Sequence, residues 1–505
     1  MVGVIGIGVL VAMLGKRLGA ELALDRAKTA CSIDDTEACA AACDPRKGKP
    51  DADSCHWLGV AHEYGKGVPQ DFAQAGLLYA KACDNGSRDA CVRAGSFHSS
   101  GPIEVRDFVR SRAFSERGCN QGAMLGCGNV GILWERGEGG PLDLQRASSL
   151  YEQACNGGEQ SGCVSLAIAL QEGTGIAIDL ERARTLSERA CAQGEPSGCA
   201  HAGTFYEEGR TVPKDAAAAA RMYQKGCYPP GQDSSRPWEL DTQLSGCAFL
   251  GVLYETGVGV EKDVLKATTL YRRACDSQAA LGCTYLAVSE IEGSPMVAAP
   301  DAGARRLASQ CEAGEARACS WLGRYKLNGT YLPKDEKAAL ELFDISCKQN
   351  FAGGCSDLGQ AHLLAHGVPK NETRALALFE QACKLNDQGG CVWLGMMLSE
   401  GAPGKSDLTR AVSLFETACK TGLGRGCTFY GSALLDSADP NDPPRASEPL
   451  EKACAADDAF GCYLLAMQLP KSEKERRLAL SRKACNGEDE DGCKLWRSLG
   501  GKGEP

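Results

Sequence analysis

The chain has 505 residues, a net charge of −10 and only 6% aromatic residues. The acidic balance makes nucleic acid and anionic lipid surfaces poor partners, and the shortage of aromatics argues against a β-sandwich and for closely packed helices. A reducing cytosol rarely tolerates as many as 28 cysteines, so their spacing has to decide between a disulfide framework and metal sites.

Residues 1–17 open with the apolar run Val2 to Gly15, followed by Lys16 and Arg17. The run is shorter than the roughly 20 residues of a membrane span. It reads as an export signal or a short membrane anchor, although no basic residue precedes it; a buried first helix is the competing reading. Residues 18–54 read as an irregular N-terminal capping unit. Spacing pairs Cys31 with Cys39, and position in the register pairs Cys43 with Cys55. Four cysteines allow three pairings, so this assignment stays open.

Residues 55–461 carry a repeat. From Cys83 to Cys427 the gaps between cysteines alternate between eight and twenty-eight residues, with one interruption. The resulting period of thirty-six is that of a solenoid of helix pairs. The pairs are Cys83 and Cys91, Cys119 and Cys127, Cys155 and Cys163, Cys191 and Cys199, Cys275 and Cys283, Cys311 and Cys319, Cys347 and Cys355, Cys383 and Cys391, Cys419 and Cys427. Counted from the second cysteine, position +3 is Leu166, Leu250, Leu322 or Leu394, and +4 is Gly59, Gly131, Gly203 or Gly251. Position +7 is aromatic or His, as in His62, Trp134 and Tyr254, and +10 is Gly65, Gly101, Gly137 or Gly257. The apolar +3 and +7 residues share one face of a first helix, A. Gly at +4 lets a neighbouring helix approach, and Gly at +10 is expected to end helix A in the left-handed conformation.

A second helix, B, starts at an N-cap twelve residues before the next cysteine: Asp71, Asp107, Asp143, Asp179, Asp215, Asp263, Asp335, Asn371 or Asp407. It carries Leu at −5 and an aromatic at −4, such as Tyr79, Tyr151, Tyr223, Tyr271, Phe343, Phe379 and Phe415. Residues eight apart on one helix lie roughly 12 Å apart, beyond disulfide reach. A bond therefore needs a chain reversal. Gly86, Gly122, Gly158, Gly194, Gly314 and Gly422, or Asn350 and Asn386, supply one three residues past the first cysteine. Each closed loop of this size is worth about 2–3 kcal/mol. Two sulfurs per junction fall short of the four ligands of a structural zinc site, so neither metal nor cofactor is expected.

Cys227 and Cys247 pair across a twelve-residue insertion that contains Trp238. That loop either contacts a partner or is a tolerated insertion with Trp238 packed locally. The pair Cys454 and Cys462 leads into residues 462–499, shortened C-terminal capping repeats that also hold the pair Cys485 and Cys493. Residues 500–505 read as a disordered tail.

The segment GCAFLGVLYETGVGVEKDVLKATTLYRRAC, Gly246 to Cys275, resembles the Sel-one-like repeat, a relative of the tetratricopeptide repeat. The thirty-six-residue period with cysteines eight apart is similar to the cysteine-rich branch of that family. The branch includes secreted cysteine-rich proteins of Helicobacter and a mitochondrial intermembrane-space factor for respiratory oxidase assembly. The resemblance spans residues 31–499 and implies an all-α solenoid of about twelve repeats. It also implies three functions: an exported, periplasmic or secreted protein-binding scaffold; a β-lactam-binding or β-lactam-hydrolysing protein; an intermembrane-space assembly factor.

The residues favour the scaffold, acting as a monomer on a protein or peptide. Serine β-lactamases carry S-x-x-K, S-D-N and K-T-G; here only Lys420-Thr421-Gly422 matches. Gly404-Lys405-Ser406 is no phosphate loop, because Ser399 stands where the leading glycine belongs. His62, His98 and His362 fill the +7 slot, and His362 with His366 lacks a third zinc ligand. The candidate partner-binding residues are Trp238 and the aromatics at +2 of helix A: Trp57, Phe249, Tyr285, Trp321, Trp393 and Phe429. These rings either anchor a partner or pack on the preceding helix B.

Overall fold

The structure, a computed structural model, describes residues 36–44, 50–228, 244–293, 299–401, 406–437 and 445–502. Every regular element among them is helical. They fall into two compact units, one ending at Arg306 and the other beginning at Leu307. The N-terminal segment 1–17, Cys31 with its expected bond to Cys39, Trp238 and residues 503–505 lie outside the described residues.

Each repeat is built by local signals. In the repeat Met124–Arg136 and Leu144–Asn156, helix A ends at Gly137, whose φ of 67° is the left-handed conformation. Helix B starts where Asp143 accepts the backbone N–H of Arg146. The Asp143 N–H is itself bonded to the carbonyl of Trp134, at +7 of helix A, which closes the hairpin. The same cap recurs at Asp71, Asp107, Asp179, Asp215, Asp263, Asp335, Asn371 and Asp407. Gly101 departs from the expected left-handed end: its φ is −65° and ψ −177°. Pro102 follows it and pushes the preceding residue into extended backbone, and the chain continues through a short 3-10 turn, Ile103–Val105.

Helix B ends in a Schellman-type turn. Gly158 donates to the carbonyl of Cys155, and Glu159 to that of Ala154. Gly86, Gly122, Gly158, Gly194, Gly314 and Gly422 all have positive φ there, as do Asn350 and Asn386. Gln278, Asp457 and Glu488 adopt the same conformation without being glycine or asparagine. The reversal lays the next helix A against helix B, and disulfides bridge the junctions. Bonds join Cys43–Cys55, Cys227–Cys247 and the eight-residue pairs from Cys83–Cys91 through Cys485–Cys493, with Cα separations of 4.3 to 4.9 Å.

That proximity depends on small residues that the sequence reading missed. A Cβ on Gly162, just before Cys163, would sit 2.5 Å from the Cβ of Ala154, just before Cys155. The corresponding distances are 2.7 Å for Gly198 on Ala190, 2.2 Å for Gly282 on Ala274 and 2.7 Å for Gly390 on Ala382. The recurring dipeptides Ala-Cys and Gly-Cys were the available signal.

The glycine at +4 also has a defined partner, the ring at −4 of helix B in the same repeat. A Cβ on Gly131, Gly203, Gly251, Gly323 or Gly395 would meet Tyr151, Tyr223, Tyr271, Phe343 or Phe415 at 2.3 to 2.6 Å. Where the ring is tyrosine, its hydroxyl donates to a glutamate at +8 of helix A: Tyr79 to Glu63, Tyr151 to Glu135, Tyr223 to Glu207, Tyr271 to Glu255. Where it is phenylalanine, at 343, 379 and 415, position +8 is Leu327, Leu363 or Ser399. A buried hydroxyl needs an acceptor and a buried phenyl does not, so the two positions change together.

Candidate partner-binding surface

The +2 aromatics cover the −4 rings of the preceding repeat. Phe249 stacks on Tyr223 with centroids 5.1 Å apart, Tyr285 on Tyr271 at 5.2 Å, Trp393 on Phe379 at 5.8 Å and Phe429 on Phe415 at 5.3 Å. Trp321 stacks on Tyr325 of its own helix. One face of each ring is therefore committed to packing, and all five rings remain half-buried. Trp57 is different: it is 3% exposed and lies in a core cluster with Cys43, Cys55 and Tyr79. It has no surface to offer a partner, which corrects its assignment as a binding residue.

At +2 of the next repeat stands Arg93, whose guanidinium lies over the Tyr79 ring and donates to Glu63, 2.6 Å away. Both side chains are 7% exposed. Burial alone would lower the Arg93 pKa, but Tyr79 and Glu63 hold its charge and raise it. His56, buried beside this group, is lowered to about 4, by burial first and by Arg93 second.

A second buried group has the look of a catalytic pair. Ser187 Oγ lies 2.7 Å from His201 Nδ1, and His201 Nε2 lies 3.1 Å from Gln171 Oε1. Ser187 is 0% exposed and His201 2%, and the serine hydroxyl also donates to the carbonyl of Ala183. No substrate reaches this hydroxyl, and the pair ties three helices together. Lys420-Thr421-Gly422 is the turn between Cys419 and Cys427: Thr421 donates to the Ala418 carbonyl and Gly422 has φ 91°. His362 and His366 do not share a helix, because Ala352–Leu364 ends at Ala365 in the left-handed conformation. Among the described residues no cluster of three or more His, Cys, Asp or Glu could hold a metal, and no helix is long and apolar enough to cross a membrane.

Among the accessible side chains of the A helices is a ridge. In the unit beginning at Leu307 it includes Trp321, Arg324, Gln360, Trp393, Met396 and Phe429, all half-buried. These are positions +2 and +5, one helical turn apart. Arg324 lies over the Trp321 ring and pairs with Asp357 at 2.9 Å, while Arg425 lies over Trp393. Burial raises the pKa of Asp357 despite Arg324 and the Ser320 hydroxyl. The +5 residues were missed by the sequence reading; carrying the +2 register one turn further would have found them.

No curated protein matches the chain. Solved structures match at low identity. A protective antigen of uropathogenic Escherichia coli displaying an SLR fold is 19% identical, with 93% of this chain and 97% of that chain covered and a TM-score of 0.39. A Sel1 repeat protein from Oxalobacter formigenes is 20% identical, covering 51% of this chain and 96% of that one, with a TM-score of 0.35. A putative sel1 repeat protein from Klebsiella pneumoniae is 22% identical, covering 42% and 97%, with a TM-score of 0.29. The family profile described as Sel1 repeat matches residues 52–87, 123–159, 161–195, 196–228, 244–278, 316–351, 352–387 and 389–423. Those segments fall on hairpins with capped helices, all but 161–195 with a glycine-seated ring, and the chain belongs to the Sel1 repeat family.

Proposed function

We propose that this Sel1-repeat chain is an exported adaptor that binds a protein or peptide partner along the ridge of its A helices. Sel1 repeats are generally protein-interaction scaffolds, and stacked helix pairs present extended surfaces for recognition. The observation that carries the reading is the cystine at junction after junction. Such a set persists only where thiols are oxidised, and it stiffens an array whose units otherwise rely on neighbour contacts. The ridge offers half-buried aromatics flanked by arginines, the residue types that dominate binding hot spots. The net charge of −10 argues against nucleic acid.

Two measurements test this. Intact mass without reductant, on protein alkylated as the cells are opened, should show no alkylated cysteine; protein with free thiols throughout would remove the export reading. Photo-cross-linkers placed at Gln360 and Met396 in the native compartment should capture one discrete partner, lost on Trp393→Ala. Cross-links that ignore Trp393→Ala would remove the ridge.

A further inference from the structure

The geometry points to Cys155–Cys163 as a redox-labile joint, the bridge that a dithiol reductant opens first. Arg189 sits two residues before Cys191 on helix Leu180–Ala192. Its Nη2 lies 2.7 Å from Cys155 Sγ and 3.0 Å from Cys163 Sγ, so one guanidinium spans both sulfurs of the preceding junction. Basic residues at the same place in other repeats do something else. Lys81 donates to the Cys43 carbonyl, Arg117 to that of Cys83, Arg273 to that of Cys227 and Lys483 to that of Cys454. Arg306, five residues before its cysteine and not two, comes nearest to the Arg189 arrangement, with Nη1 3.7 Å from Cys275 Sγ.

A cation on the sulfurs matters because thiol–disulfide exchange expels a thiolate, and a better-stabilised thiolate leaves faster. Cys163 is also near the N-terminus of helix Gln160–Glu172, where the peptide dipoles favour negative charge. Every junction has that helix end; the charged fork on the sulfurs is the local addition. The reductant's thiolate attacks Sγ of Cys155, the less buried residue of the two at 4% exposed against 0%. The S–S bond breaks and its electron pair goes to Cys163 Sγ, which leaves as thiolate against Arg189. The reductant's second thiolate then attacks its own bound sulfur and releases Cys155. Water protonates the two cysteines. Two electrons and two protons pass from the dithiol to the cystine, and the dithiol becomes a cyclic disulfide. Opening this joint unties helix Leu144–Asn156 from helix Gln160–Glu172 and leaves the neighbouring bridges closed.

The test uses the oxidised full-length chain, so a chain isolated without disulfides would count against the export reading and not against this joint. Dithiothreitol is added at one fixed concentration, free thiols are alkylated at intervals, and each cystine is followed by peptide mass mapping. A cation on the leaving sulfur predicts that Cys155–Cys163 opens severalfold faster than Cys119–Cys127 and Cys191–Cys199. Arg189→Gln should abolish that lead, and Arg189→Lys should keep most of it. A purely structural Arg189 gives the opposite sign: losing it would loosen the junction and make the bridge easier to reduce. The proposal is overturned if Cys155–Cys163 opens no earlier than its neighbours in the wild type, or if Arg189→Gln leaves it equally or more reducible.

Discussion

Replacing Gly203 with alanine would place a methyl carbon 2.3 Å from Cε1 and 2.5 Å from Cδ1 of Tyr223. Carbon atoms settle at about 3.5–4.0 Å, so the ring would have to retreat by about 1 Å or more. It has nowhere to go. Tyr223 is fully buried, its hydroxyl is held by Glu207, and Phe249 stacks on it at 5.1 Å. Forcing a methyl into such a core costs about 1–3 kcal/mol. Alanine returns about 1 kcal/mol through its higher helix propensity, leaving a net loss of up to about 2 kcal/mol. Gly128 provides the control, since a Cβ there meets nothing within 4 Å. Gly128→Ala should therefore stabilise by up to about 1 kcal/mol. Urea midpoints from circular dichroism would compare the two, with hydrogen exchange in helices Pro196–Glu208 and Ala216–Cys227 locating the effect. Tyr223→Ala should cost less in the Gly203→Ala background than in the wild type, because there it also removes the clash. Equal midpoints for Gly203→Ala and Gly128→Ala would refute the seating of the ring as the reason for the glycine.

Glu63→Gln would leave the buried Arg93 without its counter-charge and should cost about 3–5 kcal/mol; a urea midpoint within about 1 kcal/mol of wild type would show that the pair is dispensable. His56 and His201 are both lowered to about 4, chiefly by burial, so the fold holds them neutral while the unfolded chain takes up protons near 6.5. Their contribution is complete above pH 6.5 and disappears as pH falls towards 4, by about 3 kcal/mol each. Glu135, Glu172 and Glu208, raised by burial, work in the opposite direction. His201→Leu isolates the histidine effect: wild type should lose stability relative to the variant between pH 7 and 4.5, and a constant difference would contradict the account. Asp263→Ala removes the cap bonded to the Lys266 N–H and should cost about 1 kcal/mol; hydrogen exchange should quicken in the first turn of Val264–Asp276 and nowhere else.

The parts of this fold that repeat locally were legible in the sequence. Asp143 followed by a helix, Gly137 at a helix end and Gly158 past Cys155 each act within a few residues, through a cap bond or a backbone conformation other residues resist. Their spacing of thirty-six made them recognisable even where one repeat deviates. Gly101 shows the limit, because Pro102 overrides the left-handed ending through its own local constraint.

The aromatic positions divide along the same line. Periodicity places Phe249 and Trp393 on helix A, but whether a ring faces a partner or the preceding repeat depends on how one hairpin leans on the next. Stacking on Tyr223 and Phe379 takes one face of each ring and leaves the ring half-buried. Trp57 occupies the same slot and disappears into the core against Tyr79 and the Cys43–Cys55 bridge. The link between Tyr223 and Glu207, the buried pairing of Glu63 with Arg93 and the reach of Arg189 to two sulfurs likewise join residues sixteen to thirty-four positions apart. The amino-acid order alone determined the hairpins, their period and their turns, because those follow from backbone preferences over one helical turn. Only the tertiary structure decided which side chains meet across repeats, because that is set by the angle and depth at which one helix pair nests in its neighbour.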